Sequence, residues 1–140
     1  MAVTISLYNH TAQRFASGAN AVGDTYKVKL FTAATFDATH TTETAAGGTE
    51  VSNTGYTAGG ATLANVAVTT VTTNDAKFDA DDVAWTATGA AINAAYARIY
   101  NSTDSAPVAF IDFGGTESAG AGTDFKIVWN ASGIFTFTVA

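Results

Sequence analysis

Short runs of β-branched and aromatic residues, separated by glycine or polar turns, recur along almost the whole chain, and Pro107 is its only proline. Proline cannot donate to a strand ladder, so its near absence leaves such runs uninterrupted. Thirteen glycines supply turns between them. Strand-length runs at this spacing, with little helical periodicity, predict an all-β fold: an antiparallel β-sandwich, jelly-roll or Ig-like, with one or two short helices. At 140 residues the chain is one domain, 1–140. Folded, it should expose about 6,800 Å², which leaves enough buried surface for a core without covalent staples.

Composition removes several chemistries. There is no cysteine, hence no disulfide, thiolate nucleophile or cysteine-bound metal. Six Lys+Arg against twelve Asp+Glu give a net charge of −6, a poor match to nucleic acid phosphates, so no nucleic-acid partner is expected. Apolar runs fall far short of the roughly 20 residues of a membrane-spanning helix, so no membrane partner is expected either. Positions 1–4 lack the basic and apolar regions of a secretory signal, and the sequons at Asn9, Asn101 and Asn130 are read as chance. Charged residues make up 13% of the chain, about half the usual share, which fits a protein packed against others.

Along the chain, positions 3–8 alternate Val3, Ile5 and Leu7 with Thr4, Ser6 and Tyr8, a half-buried strand. Asn9 is placed to cap a short helix over 10–16 that ends near Gly18, and its Phe15 must dock on the body because two turns do not stand alone. Positions 26–31 form a second strand with Lys27 and Lys29 facing solvent or a partner. Positions 33–48 are the least patterned: an exposed loop holding Phe36 and His40, with one helical turn near Phe36 and a length that implies a contact. Further strands are expected over 50–56, 61–73, 83–88, 92–100 and 108–113. Lys77-Phe78 reads as a short edge strand. On 92–100, Ile92, Ala94, Tyr96, Arg98 and Tyr100 share one face. A glycine-rich loop follows over 114–123, and 125–129 with 134–139 should close a final hairpin. The core should centre on Trp85, Phe110, Phe125, Ile127, Trp129, Phe135 and Phe137.

Candidate sites each meet a plainer reading. Asp75, Asp79, Asp81 and Asp82 offer carboxylates for calcium, but not in the D-x-D-x-D-G spacing, and Asp-rich turns explain them. His10 and His40 are far apart, and Ser118 lacks the first glycine of G-x-S-x-G because Thr116 stands there. Asp112 and Glu117 could be a sugar-cleaving pair, though a strand-end Asp bonding nearby amides is the simpler role. Glycines 114, 115, 120 and 122 are not followed by Lys-Ser/Thr, so they form no phosphate loop. Tyr96, Tyr100, Trp85, Phe110, Phe113 and Trp129 have no basic groove beside them and read as core. No catalytic, metal or cofactor site is therefore expected.

Four stretches carry a resemblance: Leu7-Tyr8-Asn9-His10-Thr11-Ala12; Tyr56-Thr57-Ala58-Gly59-Gly60 followed by Leu63-Ala64-Asn65-Val66; Phe110-Ile111-Asp112-Phe113-Gly114-Gly115; and Gly122-Thr123-Asp124-Phe125-Lys126-Ile127-Val128-Trp129-Asn130. They resemble a family of small virion proteins encoded by tailed bacteriophages. The resemblance implies a structural component with no catalytic motif. The leading expectation is a head decoration (cement) protein, made in the host cytoplasm and bound to the outer capsid surface, with the major capsid protein as partner and a homo-oligomeric state. The alternative is a tail-tip or fibre component that attaches to the host surface; a carbohydrate-active enzyme is a third class. The expected partner contacts are Val3, Ile5, Leu7, Tyr8, His10, Phe15, Phe36 and His40, with 1–18 as a docking segment able to add its strand to another sheet.

Overall fold

The computed structural model describes residues 2–53, 55–72 and 74–139. In chain order the elements are β1 (Thr4–Leu7), α1 (Thr11–Ser17), β2 (Tyr26–Ala33), α2 (Glu43–Ala46), β3 (Thr49–Glu50), β4 (Ala61–Thr62), β5 (Ala67–Thr70), β6 (Ala76–Asp79), β7 (Val83–Thr86), β8 (Ile92–Asn101), β9 (Ala106–Ala119), β10 (Asp124–Ile127) and β11 (Phe135–Phe137). The fold is all-β, with antiparallel sheets and two short helices, as the strand pattern predicts. The large sheet has the order β1-β9-β8-β2-β3, with β4 also on β2. Two small sheets, β10-β7 and β11-β6-β5, complete the set.

The main core forms where one face of the large sheet meets the small sheets. Val28 and Leu30 of β2, Ala97 and Ile99 of β8 and Ile111 of β9 pack with Phe78, Trp85, Phe125, Ile127 and Phe135. Phe78 is fully buried and stacks on Phe135 with ring centroids 4.9 Å apart. The accessible surface is 6801 Å², the area expected of a compact chain this size. Of the expected core, Trp85, Phe110, Phe125, Ile127 and Phe135 are buried, whereas Trp129 and Phe137 only pack against its margin.

Several expectations need correction. Asn9 is not the cap: His10 holds that position without a side-chain bond, although Gly18 ends the helix at φ 80° as expected. Lys77-Phe78 is no edge, because β6 is the middle strand of its sheet. The final hairpin does not form. β10 pairs with β7 (Phe125 opposite Trp85), while β11 pairs with β6 (Phe135 opposite Phe78), so aromatic pairing across neighbouring strands outweighs the local turn. The run 114–123 is not all loop. β9 continues to Ala119 by bulging: Asp112 faces Tyr96 but Glu117 faces Ala94, and Gly114 sits at φ 78° with its amide donated to Asp112 Oδ1. This irregularity also changes the phase of β8. Ile92 and Ala94 share the main core with Ala97 and Ile99, while Tyr96 packs on the opposite face. The runs 50–56 and 61–73 yield only β3, β4 and β5; positions 54 and 73 lie outside the described residues. Between them, Gly60 is required at its turn: its φ is +80°, and a Cβ would stand 1.9 Å from the Val28 carbonyl oxygen.

Two tyrosines tie the core to its loops. Tyr26 donates to the Ala21 carbonyl at 2.9 Å. Tyr56 donates to Glu50 Oε1 at 2.6 Å and accepts from the Leu30 amide at 3.1 Å. Burial pushes both phenols well above the ordinary tyrosine range, and for Tyr56 the bond to Glu50 adds to the effect. The unfolded chain ionises these phenols near pH 10 and the folded chain resists it. Their contribution is therefore whole below about pH 10 and is lost as pH rises above that. Urea midpoints should fall steeply above about pH 10, and phenolate absorbance from Tyr26 and Tyr56 should appear only with unfolding. Ionisation of both phenols in the folded chain near pH 10 would contradict their placement.

Candidate functional site

The outer face of the large sheet is covered by the segment 34–48. Its threonines at 35, 39, 41, 42 and 44 are exposed, as the composition predicts, but Phe36, Glu43 and Ala46 turn inward onto the sheet. Phe36 lies 5.1 Å from Tyr8 and 5.5 Å from Phe110 by ring centroid, and Tyr8, Phe110 and Ala46 form a second apolar cluster. The helical turn falls at α2 rather than near Phe36, where Thr42 Oγ1 accepts from the Ala45 amide. Backbone bonds lash the segment down: the Asn9 amide to the Ala38 carbonyl at 2.9 Å and the Glu43 amide to the Ser105 carbonyl at 2.8 Å.

Beneath it sits an ion pair that the sequence analysis missed. Arg98, 1% exposed, donates from Nε to Glu43 Oε2 at 2.8 Å and from Nη2 to Oε1 at 2.9 Å. Nη2 also donates to the Gly47 carbonyl at 2.7 Å, and the guanidinium lies 4.4 Å from the Phe31 ring centroid. Lys29, expected to face outward, turns to Glu43 at 3.2 Å and lies over the Tyr100 ring. Two cations thus share one carboxylate in a site where only Lys29, with 20% of its side chain exposed, reaches water. Tyr8 is beside them; burial raises its phenol above the ordinary range, and the positive Arg98 only partly offsets this. The available signal was an arginine within an otherwise apolar strand, but nothing local named its partner in the loop.

The expected contact residues do not form one surface. Tyr8 is 2% exposed and is thereby removed as a contact. Phe15, half-buried, packs on Tyr26, Phe78, Phe135 and Phe137, with centroids 5.3–6.4 Å away, and belongs to the core margin. Leu7 also packs on the main core. His10 donates from Nε2 to the Pro107 carbonyl at 2.9 Å, and Thr11 Oγ1 to the Val108 carbonyl at 2.7 Å. His40 lies 3.9 Å from Asp37 in a separate part of the surface, and Phe36 is held in the second cluster. The segment 1–18 is thus no detachable arm: β1 pairs with β9 from Thr4–Asp112 to Leu7–Ala109, and α1 covers the core. Only Val3 and Ile5 remain open, 58% and 39% exposed.

These two line a groove of about 620 Å³ between β1, β9 and β10. Val128, 65% exposed, stands on the same groove, whose walls include Phe113, Ile127 and Trp129. Elsewhere, the acidic side chains are engaged singly. Asp75 Oδ1 accepts the Val139 amide, Asp79 pairs with Lys77, Asp81 accepts from Asn65, and Asp82 Oδ1 accepts the Trp129 amide. Among the described residues no three His, Cys, Asp or Glu gather as a metal site. Ser118 bonds Asn93 rather than a histidine, and Asp112 holds the bulge amide. Among the described residues no helix is long and apolar enough to cross a membrane. No protein-family model, curated protein or solved structure matches the chain.

Removing one partner of a buried pair strands the other charge. Glu43→Ala or Arg98→Ala should each cost about 3–5 kcal/mol in urea denaturation. The double replacement Glu43→Leu with Arg98→Met should cost less than either single change, because no fully buried charge is left unpaired and Lys29, whose side chain is 20% exposed, can turn to solvent. Equal, small losses for all three would show that the pair is solvated.

Proposed function

We propose that this is a structural virion protein of a tailed bacteriophage, bound to the outer capsid lattice as a decoration protein that stabilises contacts between capsomers. The observation that carries the reading is the groove: three exposed aliphatic side chains, Val3, Ile5 and Val128, gather on it, which suits a protein partner. The four stretches that resemble small virion proteins support it in a second way. Two of them build the frame around that groove: Phe110–Gly115 lies in β9 and its bulge, and Gly122–Asn130 runs through β10 to the Trp129 wall. A domain that binds only the assembled lattice stabilises it by mass action, and repeated equivalent contacts multiply a modest interface. Homo-oligomerisation on the lattice and the major capsid protein as partner belong to the same proposal.

The alternative, a tail-tip or fibre protein, differs in abundance. A lattice protein should be present in a fixed ratio to the major capsid protein, on the order of hundreds of copies as the multiplied symmetric contacts require. Quantitative mass spectrometry of purified virions should give that ratio. Abundance at the level of tail proteins, or loss of the chain with detached tails, would transfer it to the tail.

A further inference from the structure

The groove lies between two strand edges. β10 is hydrogen-bonded to β7 on one side, and among the described residues no strand occupies the other. β1 is the edge of the large sheet. Val3 and Ile5 alternate with Thr4 and Ser6 in phase with Leu7, which packs on the main core. They are therefore core-facing residues left without a covering strand. On β10 the same alternation holds: Phe125 and Ile127 are buried, while Asp124 and Lys126 point to solvent. A strand laid along the free edge of β10 would continue that small sheet and carry every second side chain onto Val3 and Ile5.

Charge narrows the occupant. Glu117 and Asp124 stand on the groove rim; Asp124 accepts from Thr86 Oγ1, and among the described residues the Glu117 side chain makes no hydrogen bond or ion pair. The one cation there, Lys126, is 3.7 Å from Asp82. A second copy of this chain, with net charge −6, would bring like charge to an acidic rim.

We propose that this groove accepts an extended segment of a partner protein, added as a strand to β10, with aliphatic residues at alternate positions and a lysine or arginine facing Glu117. Main-chain bonds to the free edge give affinity and the alternate side chains give register. Four residues of β10 span about 13 Å, so the incoming strand needs at least about four residues. The inference rests on the proposed function only in taking the partner to be a protein.

The test uses the full chain without virions, so its failure is separate from a failed copy-number measurement. The probe is the peptide Lys-Thr-Val-Thr-Val-Thr-Val-Thr-Lys, joined through a Gly/Ser linker to the N-terminus, which raises its effective concentration to about the millimolar range. Amide hydrogen exchange of 124–128 is read by NMR against a chain carrying the linker alone. The proposal expects at least a tenfold slowing at the β10 amides that do not bond β7. Replacing the valines by proline, which removes main-chain donors and apolar alternation in register, should abolish the slowing. Glu117→Gln, an exposed change, should weaken it about threefold while leaving the urea midpoint in place. No slowing beyond the linker control would overturn the proposal, as would slowing that survives the proline peptide. Concentration-dependent protection with dimer in sedimentation of the linker-only chain would also overturn it, by assigning the groove to a second copy.

Discussion

The pairing of β8 with β9 is the constraint from which the rest of the structure follows. From Ala97 to Asn101 and from Ala106 to Ile111 every side chain is buried. A strand pair covered on both faces needs two partners, and the fold supplies them differently. The small sheets cover one face with aromatic rings. The segment 34–48 covers the other with Phe36, Ala46 and a carboxylate. Arg98 lies on that second face, so its charge must be met there. Glu43 does so in bidentate geometry, and the Gly47 carbonyl takes a further donor. Such a pair is weak evidence of net stability, because desolvation offsets much of its attraction. What it adds here is register: the loop seats only where Glu43 reaches the guanidinium.

The molecule is consequently uneven. Its outer face is closed by a loop bonded to the backbone of residues 9 and 105, while the end between β1 and β10 leaves aliphatic side chains uncovered. β1 is held by β9 along its length and by the bonds of His10 and Thr11 to the Pro107 and Val108 carbonyls. A groove wall fixed in this way is preorganised, so a partner would pay little to order it.

Much of the strand content was legible because alternation is local. Val28 and Leu30 against Lys27 and Lys29, or Val83 and Trp85 against Ala84 and Thr86, declare a face without reference to the rest of the chain. Gly18 likewise announces the end of α1. Pairing was not legible where a long-range contact overrides a local signal. The turn Asn130-Ala131-Ser132-Gly133 reads as a hairpin, yet Phe125 is claimed by Trp85 and Phe135 by Phe78. Gly114-Gly115 reads as a loop, yet it is a bulge inside β9. Glu43 and Arg98 are 55 positions apart, and only the folded sheet brings them together. Of the expected contact residues, Val3 and Ile5 were recognisable as apolar, but their exposure follows from a covering strand that is missing among the described residues.

The account makes the doubly covered β8–β9 pair the last part of the fold to open. Native-state hydrogen exchange under increasing urea measures this directly. Amides of 97–101, 106 and 108–111 should exchange only through global unfolding, with the same free energy and urea dependence as the whole chain. Exchange of these amides through a cheaper opening, while the β7–β10 and β6–β11 pairs stay protected, would contradict it.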